Sequence, residues 1–190
     1  MEKYQKIQQP ATINFQQKMS YKNQLKNIKA FVFDVDGVFT DGSVYLMPDG
    51  SMSRVMNVLD GYAVVKALKR GYPIGVITGG NDPMVKNRLN YLGITDYYAK
   101  SSDKIKDFED FKSKYQLQDD HILMMGDDLP DLAIMKRVAL ATCPINAVPE
   151  VKAAAHYISA IHGGKGAVRD VIEQVLKVQG QWQEDDTRSV

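Results

Sequence analysis

The sequence predicts an α/β fold with a central, mostly parallel sheet. Short apolar runs alternate along the chain with amphipathic stretches, which is the pattern of repeated βα units. The first run, from Ala30 to Phe33, has four consecutive apolar residues and suits a central strand covered on both faces. Polar or acidic turns rich in glycine follow several of these runs, and open sheets of this kind bind ligands at the carboxyl ends of their strands.

Repeated βα units account for most of residues 30–178. Strands are predicted at 30–34, 73–77, 96–98, 122–125, 138–141 and 156–158. Helices are predicted at 61–70, 82–92, 103–115, 129–136, 148–154 and 166–178. Residues suited to N-capping support three of the helix starts, namely Asp60, Asn81 or Asp82, and Asp103.

The stretch 38–56, directly after the first strand, departs from this pattern. A turn at Pro48-Asp49-Gly50 lies between the segments 44–47, VYLM, and 54–56, RVM, which is typical of a β-hairpin. Its apolar alternation would leave exposed edges on a monomer, so we expect the hairpin to contact another subunit.

Composition indicates a single soluble domain. The 190 residues are 44% hydrophobic and 25% charged, and a net charge of +1 gives no reason to expect nucleic acid or a membrane surface as partner. The single cysteine, Cys143, excludes an internal disulfide, is expected to be buried, and fits a cytoplasmic location. No stretch approaches the ~20 apolar residues of a membrane-spanning helix.

Both ends of the chain are polar. We predict a loosely docked extension at 1–27, one domain at 28–178 and a tail at 179–190. Trp182 is the aromatic residue through which the tail is expected to pack, and a neighbouring subunit is one candidate surface.

Two carboxylates lie at the end of the first predicted strand, because Asp34 and Asp36 precede a turn at Gly37. A local unwinding at Gly37 is needed to bring both carboxylates near one pocket. Two anions there need a cation between them or a proton on one of them. The alternative is an Asp-rich turn that only caps the next segment.

Three further groups follow in order along the chain. Thr78-Gly79-Gly80 could hold phosphate oxygens, although it is also an ordinary strand-to-helix turn. Lys104 opens a helix, where a lone lysine is more often a solvated surface charge. The segment 126–131, GDDLPD, could complete a site for Mg²⁺, which takes oxygen ligands, or its Asp128 and Asp131 could cap the next helix.

Taken together and in this order, DxDG, a strand-terminal Thr, a Lys and GDDxxD resemble the four motifs of the haloacid dehalogenase superfamily of phosphotransferases, over most of residues 30–178. In more detail, the stretches DVDGVFTDG, ITGG, SSDK, GDDLPD and GGKGAVRDV are similar to the 3-deoxy-D-manno-octulosonate 8-phosphate (KDO 8-phosphate) phosphatases. The resemblance implies a Rossmann-like three-layer sandwich. It also implies a magnesium-dependent phosphatase that works through an aspartyl-phosphate in lipopolysaccharide precursor synthesis.

Roles for individual residues come from the same resemblance. Asp34 would be the nucleophile and Asp36 the general acid and base, with Thr78 and Lys104 binding the transferring oxygens. Mg²⁺ would be held by the Asp34 carboxylate, the Asp36 backbone carbonyl and Asp127, with Asp128 and Asp131 as outer or possible ligands. Substrate contacts would come from Asn57, Asp60, Gly61, Gly79, Gly80, Arg88 and Lys104.

Loop lengths and departures from the family pattern bear on the substrate. Neither 37–77 nor 79–103 is long enough for the cap domain that many relatives carry, so the missing walls are expected from neighbouring subunits, in a homotetramer assembled through the 38–56 hairpin. Leu59 and Gly80 stand where the family commonly has Arg, and the candidate replacements are Lys66, Lys165 and Arg169. Two alternatives stay open: a phosphatase for a nine-carbon sialic-acid-type sugar 9-phosphate, and a catalytically inactive assembly module.

Overall fold

The computed structural model describes residues 21–182, and the statements below concern that part of the chain. The strands are β1 (Ala30–Phe33), β2 (Tyr45–Leu46), β3 (Met52–Ser53), β4 (Ile74–Ile77), β5 (Asp96–Tyr98), β6 (Ile122–Met125), β7 (Leu140–Cys143) and β8 (Tyr157–Ile158). Six of them form one parallel sheet in the order β5-β4-β1-β6-β7-β8. The antiparallel pair β2-β3 forms the predicted hairpin.

Residues 21–182 contain six α-helices, of which five lie between strands and the sixth follows the last strand. They are α1 (Val58–Lys69), α2 (Pro83–Tyr91), α3 (Lys104–Tyr115), α4 (Leu132–Met135), α5 (Pro149–Ala154) and α6 (Ala167–Val178). Short 3-10 turns lie at Leu25–Asn27, Asp119–His121 and Leu129–Asp131, and the last of these supplies the first half of the helix predicted at 129–136. Within 21–182 there is no helix with the length and apolar character needed to cross a membrane.

The sheet is covered on both faces. Side chains of a strand alternate between its faces, and in β1 Phe31 and Phe33 join one buried cluster, which includes residues of α1, α2 and α6. Ala30 and Val32 join a second cluster, which includes residues of α3, α4 and α5. This three-layer arrangement confirms the predicted fold class, and the described part of the chain contains no cap domain.

One predicted strand lies two residues too early. The run from Val138 to Ala141 is apolar, but the amides of Arg137 and Val138 donate back to the carbonyl of Ile134 and finish the preceding helix. The strand therefore begins at Leu140 and ends at Cys143, which is fully buried as predicted.

The predicted cap of the first βα helix is also wrong. Asn57, three residues before Asp60, is the N-cap of α1 and accepts a hydrogen bond from the Leu59 amide at 2.9 Å. Asp60 instead lies in the first turn of α1, where its Oδ1 accepts from the Arg169 amide in the first turn of α6 at 2.8 Å. Asp60 thus ties two helix starts together.

The ends of the described part pack more closely than expected. Residues 21–27, predicted to belong to a loose extension, form a helical turn that buries Tyr21 and Leu25, because their spacing places them on one helical face. Residues 1–20 and 183–190 lie outside the described part. Trp182 packs within its own chain, edge-on to Tyr62 at 5.9 Å between ring centroids.

Candidate active site

The candidate site lies where β1, β4 and β6 end side by side. Because these strands are parallel neighbours, their carboxyl ends deliver Asp34, Thr78 and Asp127 to the same edge of the sheet. Lys104 joins them from the first residue of α3, which follows β5. The structure therefore brings together residues from all four predicted motifs.

Lys104 is not a solvated surface charge, because only 10% of its side chain is exposed. Its Nζ lies 3.0 Å from Oδ1 of Asp34 and 2.8 Å from Oδ1 of Asp131. Burial lowers the pKa of Lys104, but the two carboxylates outweigh burial and leave that pKa above its ordinary value. Lys104 therefore stays positively charged between two acids.

Three carboxylates meet at this lysine. Asp34, Asp127 and Asp131 each offer an oxygen, and these oxygens lie within 4.8 Å of one another. Burial, followed by the charges of Asp34 and its acidic neighbours, raises the pKa of Asp127 to about 7. Burial and then the charge of Asp131 raise the pKa of Asp34 to about 6, with Lys104 opposing the shift. A cluster that holds protons so strongly, with only oxygen donors, fits a hard divalent cation.

The oxygens of Asp131 already have partners. Its Oδ1 binds Lys104, and its Oδ2 accepts from the backbone amides of Asp127 at 3.0 Å and Asp128 at 3.4 Å. The Asp128 side chain accepts from the Leu129 amide at 2.8 Å and belongs to an exposed residue. Both residues therefore act as caps, as the alternative interpretation held, and Asp34 with Asp127 is the better pair to ligate a metal.

The turn after β1 needs glycine for the site to close. Gly37 has φ +83°, and a Cβ atom built on it would lie 1.9 Å from Oδ2 of Asp127. Only glycine allows both this backbone conformation and this approach. The hydroxyl of Thr40, fully buried, accepts from the amides of Gly37 at 3.3 Å and Gly42 at 3.2 Å. Sequence reasoning missed Thr40, and its signal was a hydroxyl residue shortly after the glycine turn.

Asp36 has a partner that the sequence did not predict. Arg54, directly after β3, places its Nε 2.7 Å from Oδ1 and its Nη2 3.2 Å from Oδ2 of Asp36. Its Nη1 also lies 3.0 Å from Oδ2 of Asp82, the N-cap of α2. A lone arginine after a hairpin strand carries no sequence signal for this contact, which depends on how the hairpin folds back.

An open cavity of about 610 Å³ lies above these groups. Thr78 faces it with a hydroxyl that accepts from the Gly80 amide at 3.1 Å, so the hydroxyl proton remains able to bind an anion. The cavity is lined by Asp34, Asp36, Gly42, Thr78, Gly79, Gly80, Ser101, Ser102, Asp103, Lys104, Ile105, Asp127, Asp128, Pro130, Asp131 and Ala133. Six aspartates and one lysine among them make the lining strongly acidic.

Four predicted substrate contacts do not line this cavity, namely Asn57, Asp60, Gly61 and Arg88. Asp60 as a substrate contact is wrong, because its side chain is fully buried against α6 and burial raises its pKa to about 6. Gly61 is buried beneath Arg88. Gly79 and Gly80 do line the cavity, and their contact with a substrate stays a prediction.

The cations considered as replacements for the absent arginines also lie elsewhere. Lys66 and Arg169 both face the rings of Tyr62 and Trp182. Lys165 lies 3.7 Å from Asp41. None of these three side chains lines the cavity of its own chain.

Magnesium is expected to stabilise the protein more at pH 8 than at pH 5.5. The raised pKa values of Asp34 and Asp127 contribute stability below pH ~4, the pKa of an unfolded aspartate, and that contribution is lost as the pH rises through about 6 to 7. A divalent cation replaces the lost protons, so its effect grows over the same window. At a hundredfold excess over Kd, binding adds about 2.7 kcal/mol.

Thermal melts with and without Mg²⁺ at the two pH values measure this effect. Asp127→Asn should remove most of the response, whereas Asp120→Asn, on an exposed side chain, should keep it. Equal shifts at both pH values, or a full response in the Asp127 variant, would contradict the assignment.

Comparisons with known proteins agree with this geometry. Residues 81–172 match the family model of the haloacid dehalogenase-like hydrolases. The chain is 35% identical over 165 residues to 3-deoxy-D-manno-octulosonate 8-phosphate phosphatase KdsC of Escherichia coli K12, covering 87% of this chain and 88% of that protein.

Solved structures give the same result. The crystal structure of the 3-deoxy-D-manno-octulosonate 8-phosphate phosphatase of Yersinia pestis superposes with a TM-score of 0.82 at 34% identity, covering 84% of this chain and 86% of that one. The phosphatase of the same name from Moraxella catarrhalis, in complex with a magnesium ion, a phosphate ion and a KDO molecule, superposes with a TM-score of 0.82 at 31% identity, covering 85% and 92%.

Proposed function

This chain belongs to the 3-deoxy-D-manno-octulosonate 8-phosphate phosphatases of the haloacid dehalogenase-like hydrolase family, and from that membership we propose that it hydrolyses 3-deoxy-D-manno-octulosonate 8-phosphate to 3-deoxy-D-manno-octulosonate and phosphate. The observation that carries the proposal is the approach of Asp34 and Asp127 at one sheet edge, with Lys104 between Asp34 and Asp131. This arrangement combines a nucleophile, a cation site and a fixed positive charge.

The reaction proceeds in two steps. In the first, an Asp34 oxygen forms a bond to phosphorus, the bond from phosphorus to the sugar oxygen breaks, and the leaving oxygen takes a proton from Asp36. In the second, water attacks the phosphorus of the aspartyl-phosphate and gives its proton to Asp36. Phosphate leaves, Asp34 is again a carboxylate, and Asp36 is again protonated.

Binding of the transferring phosphoryl group falls to Thr78 and Lys104. Thr78 and Gly79 line the cavity, and Lys104 offsets the negative charge of Asp34. Asp34 and Asp127 would hold Mg²⁺, joined in our proposal by the backbone carbonyl of Asp36. When bound, Mg²⁺ neutralises phosphoryl charge that the acidic lining would otherwise repel.

The acidic lining also supports the need for a neighbouring subunit. Lys104 is the only lysine or arginine that lines the cavity within the described chain, and two aspartates hold it. A sugar acid with a carboxylate and a phosphate needs further positive charge. Arg88, half-buried on α2 beside the ring of Tyr91, is our candidate to supply it to a partner's site.

We propose that the hairpin assembles four copies of the chain. All four residues of β2 and β3 are exposed, and Leu46 is 79% exposed. Two strands of two residues each do not form a stable sheet alone in water. Packing against other hairpins would bury these apolar side chains and would place a neighbour near each cavity.

The alternatives receive less support. An inactive assembly module has no need for a buried lysine held between two aspartates beside an open cavity. The relatives at 34–35% identity carry the octulosonate name rather than that of a nine-carbon sugar. We propose a cytoplasmic location and a place in lipopolysaccharide precursor synthesis, which the fully buried single thiol of Cys143 and the proposed substrate support.

A panel of phosphate esters tests the proposed function. Purified protein with Mg²⁺ is expected to give its highest kcat/KM with 3-deoxy-D-manno-octulosonate 8-phosphate, well above a nine-carbon sialic-acid-type 9-phosphate and simple sugar phosphates. Chelation of the metal should abolish turnover while the protein stays folded, because the core is built without the ion. A higher kcat/KM for the nine-carbon ester would identify that ester as the substrate instead. No turnover of any ester would overturn the proposed function.

A further inference from the structure

We propose that Arg54 is a positioning residue that holds Asp36 in place for proton transfer. The inference rests on the proposed function, in which Asp36 moves the proton in both steps. It assigns a role to an arginine that none of the four motifs contains.

The contact between the two side chains is bidentate. Two guanidinium nitrogens of Arg54, Nε and Nη2, each donate to a different oxygen of Asp36, at 2.7 and 3.2 Å. A planar guanidinium that binds both oxygens fixes the orientation of the carboxylate as well as its place. Only 12% of the Arg54 side chain is exposed, against 37% of the Asp36 side chain, so the guanidinium is largely enclosed while the carboxylate stays accessible from the cavity.

A second carboxylate holds the guanidinium itself. Nη1 of Arg54 lies 3.0 Å from Oδ2 of Asp82. The other oxygen of Asp82 accepts from the amides of Met84 at 2.8 Å and Val85 at 3.3 Å at the start of α2. Asp82 therefore anchors Arg54 to a helix. This contact holds the guanidinium in place when Asp36 is protonated and only one of its oxygens accepts from Arg54.

Arg54 contacts Asp36 from outside the residues that line the active-site cavity. Asp36 lines the open active-site cavity, and Arg54 does not. A second cavity of about 10 Å³, too small for a substrate, is lined by Asp36 and Arg54 together with Thr78, Gly80, Asp82 and Tyr97. Arg54 can therefore act on the reaction through Asp36, without contact to the reacting atoms.

The pair also links Asp36 to the hairpin. Arg54 follows Ser53, the last residue of β3, so the first residue after the hairpin contacts the carboxylate that transfers the proton. The plainer interpretation is that the ion pair only anchors the hairpin. The two interpretations differ in what happens to esters with different leaving groups.

Esters with different leaving groups distinguish the positioning role from the hairpin anchor, because only a poor leaving group needs a proton from Asp36. We expect Arg54→Met to lower kcat for the octulosonate phosphate, an alkyl ester, by about 10- to 100-fold, with little change in KM. With p-nitrophenyl phosphate, whose phenolate leaves without a proton, formation of the aspartyl-phosphate should be nearly unaffected. Its hydrolysis still needs Asp36, so stopped-flow measurements should show a burst of about one nitrophenol per site.

Two further variants sharpen the test. Arg54→Lys restores the charge but lacks the planar fork, so it should recover only part of the activity. Asp82→Asn keeps an acceptor for the helix cap and removes the charge that holds Arg54, so it should show a smaller loss with the same dependence on leaving group. Arg137→Met, which removes a partly exposed arginine paired with Glu109 and Asp119, is the matched control and should leave both esters unchanged.

Equal losses for the two esters without a burst, or an unchanged kcat in Arg54→Met, would overturn the proposal in favour of a hairpin anchor. If Arg54→Met fails to give a cooperative thermal melt, Arg54→Lys and Asp82→Asn decide the matter by the same criterion. If the wild-type protein does not turn over the octulosonate phosphate, the proposed substrate fails. The leaving-group comparison then uses glycerol 3-phosphate as its alkyl ester and still tests Arg54.

Discussion

Asp34→Asn is expected to lower kcat by at least about 10⁴-fold, because the amide oxygen cannot replace the carboxylate as nucleophile. The protein should nevertheless stay folded. Lys104 keeps its 2.8 Å contact with Asp131, and one of the acids crowded at the end of β1 becomes neutral. Because burial and neighbouring charge raise the pKa of Asp34, the ionised group destabilises the metal-free fold near neutral pH. The metal-free variant should therefore melt at or above the wild-type temperature at pH 8.

Rescue by metal distinguishes a nucleophile from a ligand. Loss of a ligand alone, as in Asp127→Asn, weakens metal binding and should be partly restored by a high Mg²⁺ concentration. Loss of the nucleophile should not be restored. Intact-mass spectrometry of rapidly quenched reactions should detect a phosphorylated wild-type chain and no such species in Asp34→Asn. Recovery of the Asp34 variant by Mg²⁺ would mean that Asp34 only binds metal.

The sheet and the helices were predictable because their signals are local. Apolar runs of about four residues, such as 30–33 and 122–125, specify buried strands, and the runs after the first are each followed by a turn and a helix, whereas the first leads into the hairpin. The central position of β1 places the acids that follow it next to those that follow β6. Parallel topology therefore turns a linear order of motifs into a spatial cluster, which is why Asp34 and Asp127 could be paired before the structure was known.

The remaining parts of the site depend on contacts that leave no local signal. Arg54 reaches Asp36 only because the hairpin folds back over the turn, and nothing in the neighbouring residues records this path. The sequence predicts Asp60 as a helix cap and a substrate contact. The packing of α1 on α6 instead buries its side chain in the core. The role of Asp131 was underestimated for the same reason, since its partners Lys104 and the Asp127 amide come from different elements.

Charges on the hairpin are expected to dissociate the assembly and to impair the sugar phosphate selectively. Val44, directly before β2, and Leu46, within β2, are 43% and 79% exposed in the isolated chain, and a separation of two residues in extended backbone places them on the same face. If this face is buried between subunits, aspartates at both positions cannot be buried without a large desolvation cost. The βα core, which does not include the hairpin, should keep its melting behaviour.

Ser53→Asp provides the matched control for Val44→Asp with Leu46→Asp. Ser53 pairs with Tyr45, so its side chain lies on the opposite face of the same hairpin. It receives the same charge without entering the apolar face, and we expect that variant to keep the wild-type mass in light scattering. The double variant should instead elute and scatter as a single chain.

Kinetics then decide whether assembly completes the active site. A dissociated chain keeps the groups that attack and bind phosphate, but its cavity loses the neighbouring surface that orients the sugar. A loss of orientation of this kind costs on the order of 100-fold in rate. We therefore expect kcat/KM for the octulosonate phosphate to fall by about that factor, while p-nitrophenyl phosphate, which needs only the phosphate-binding groups, changes little. A single-chain variant with an unchanged kcat/KM for the sugar phosphate would show that each chain selects its substrate alone, and a double variant that keeps the wild-type mass would exclude the hairpin as the interface.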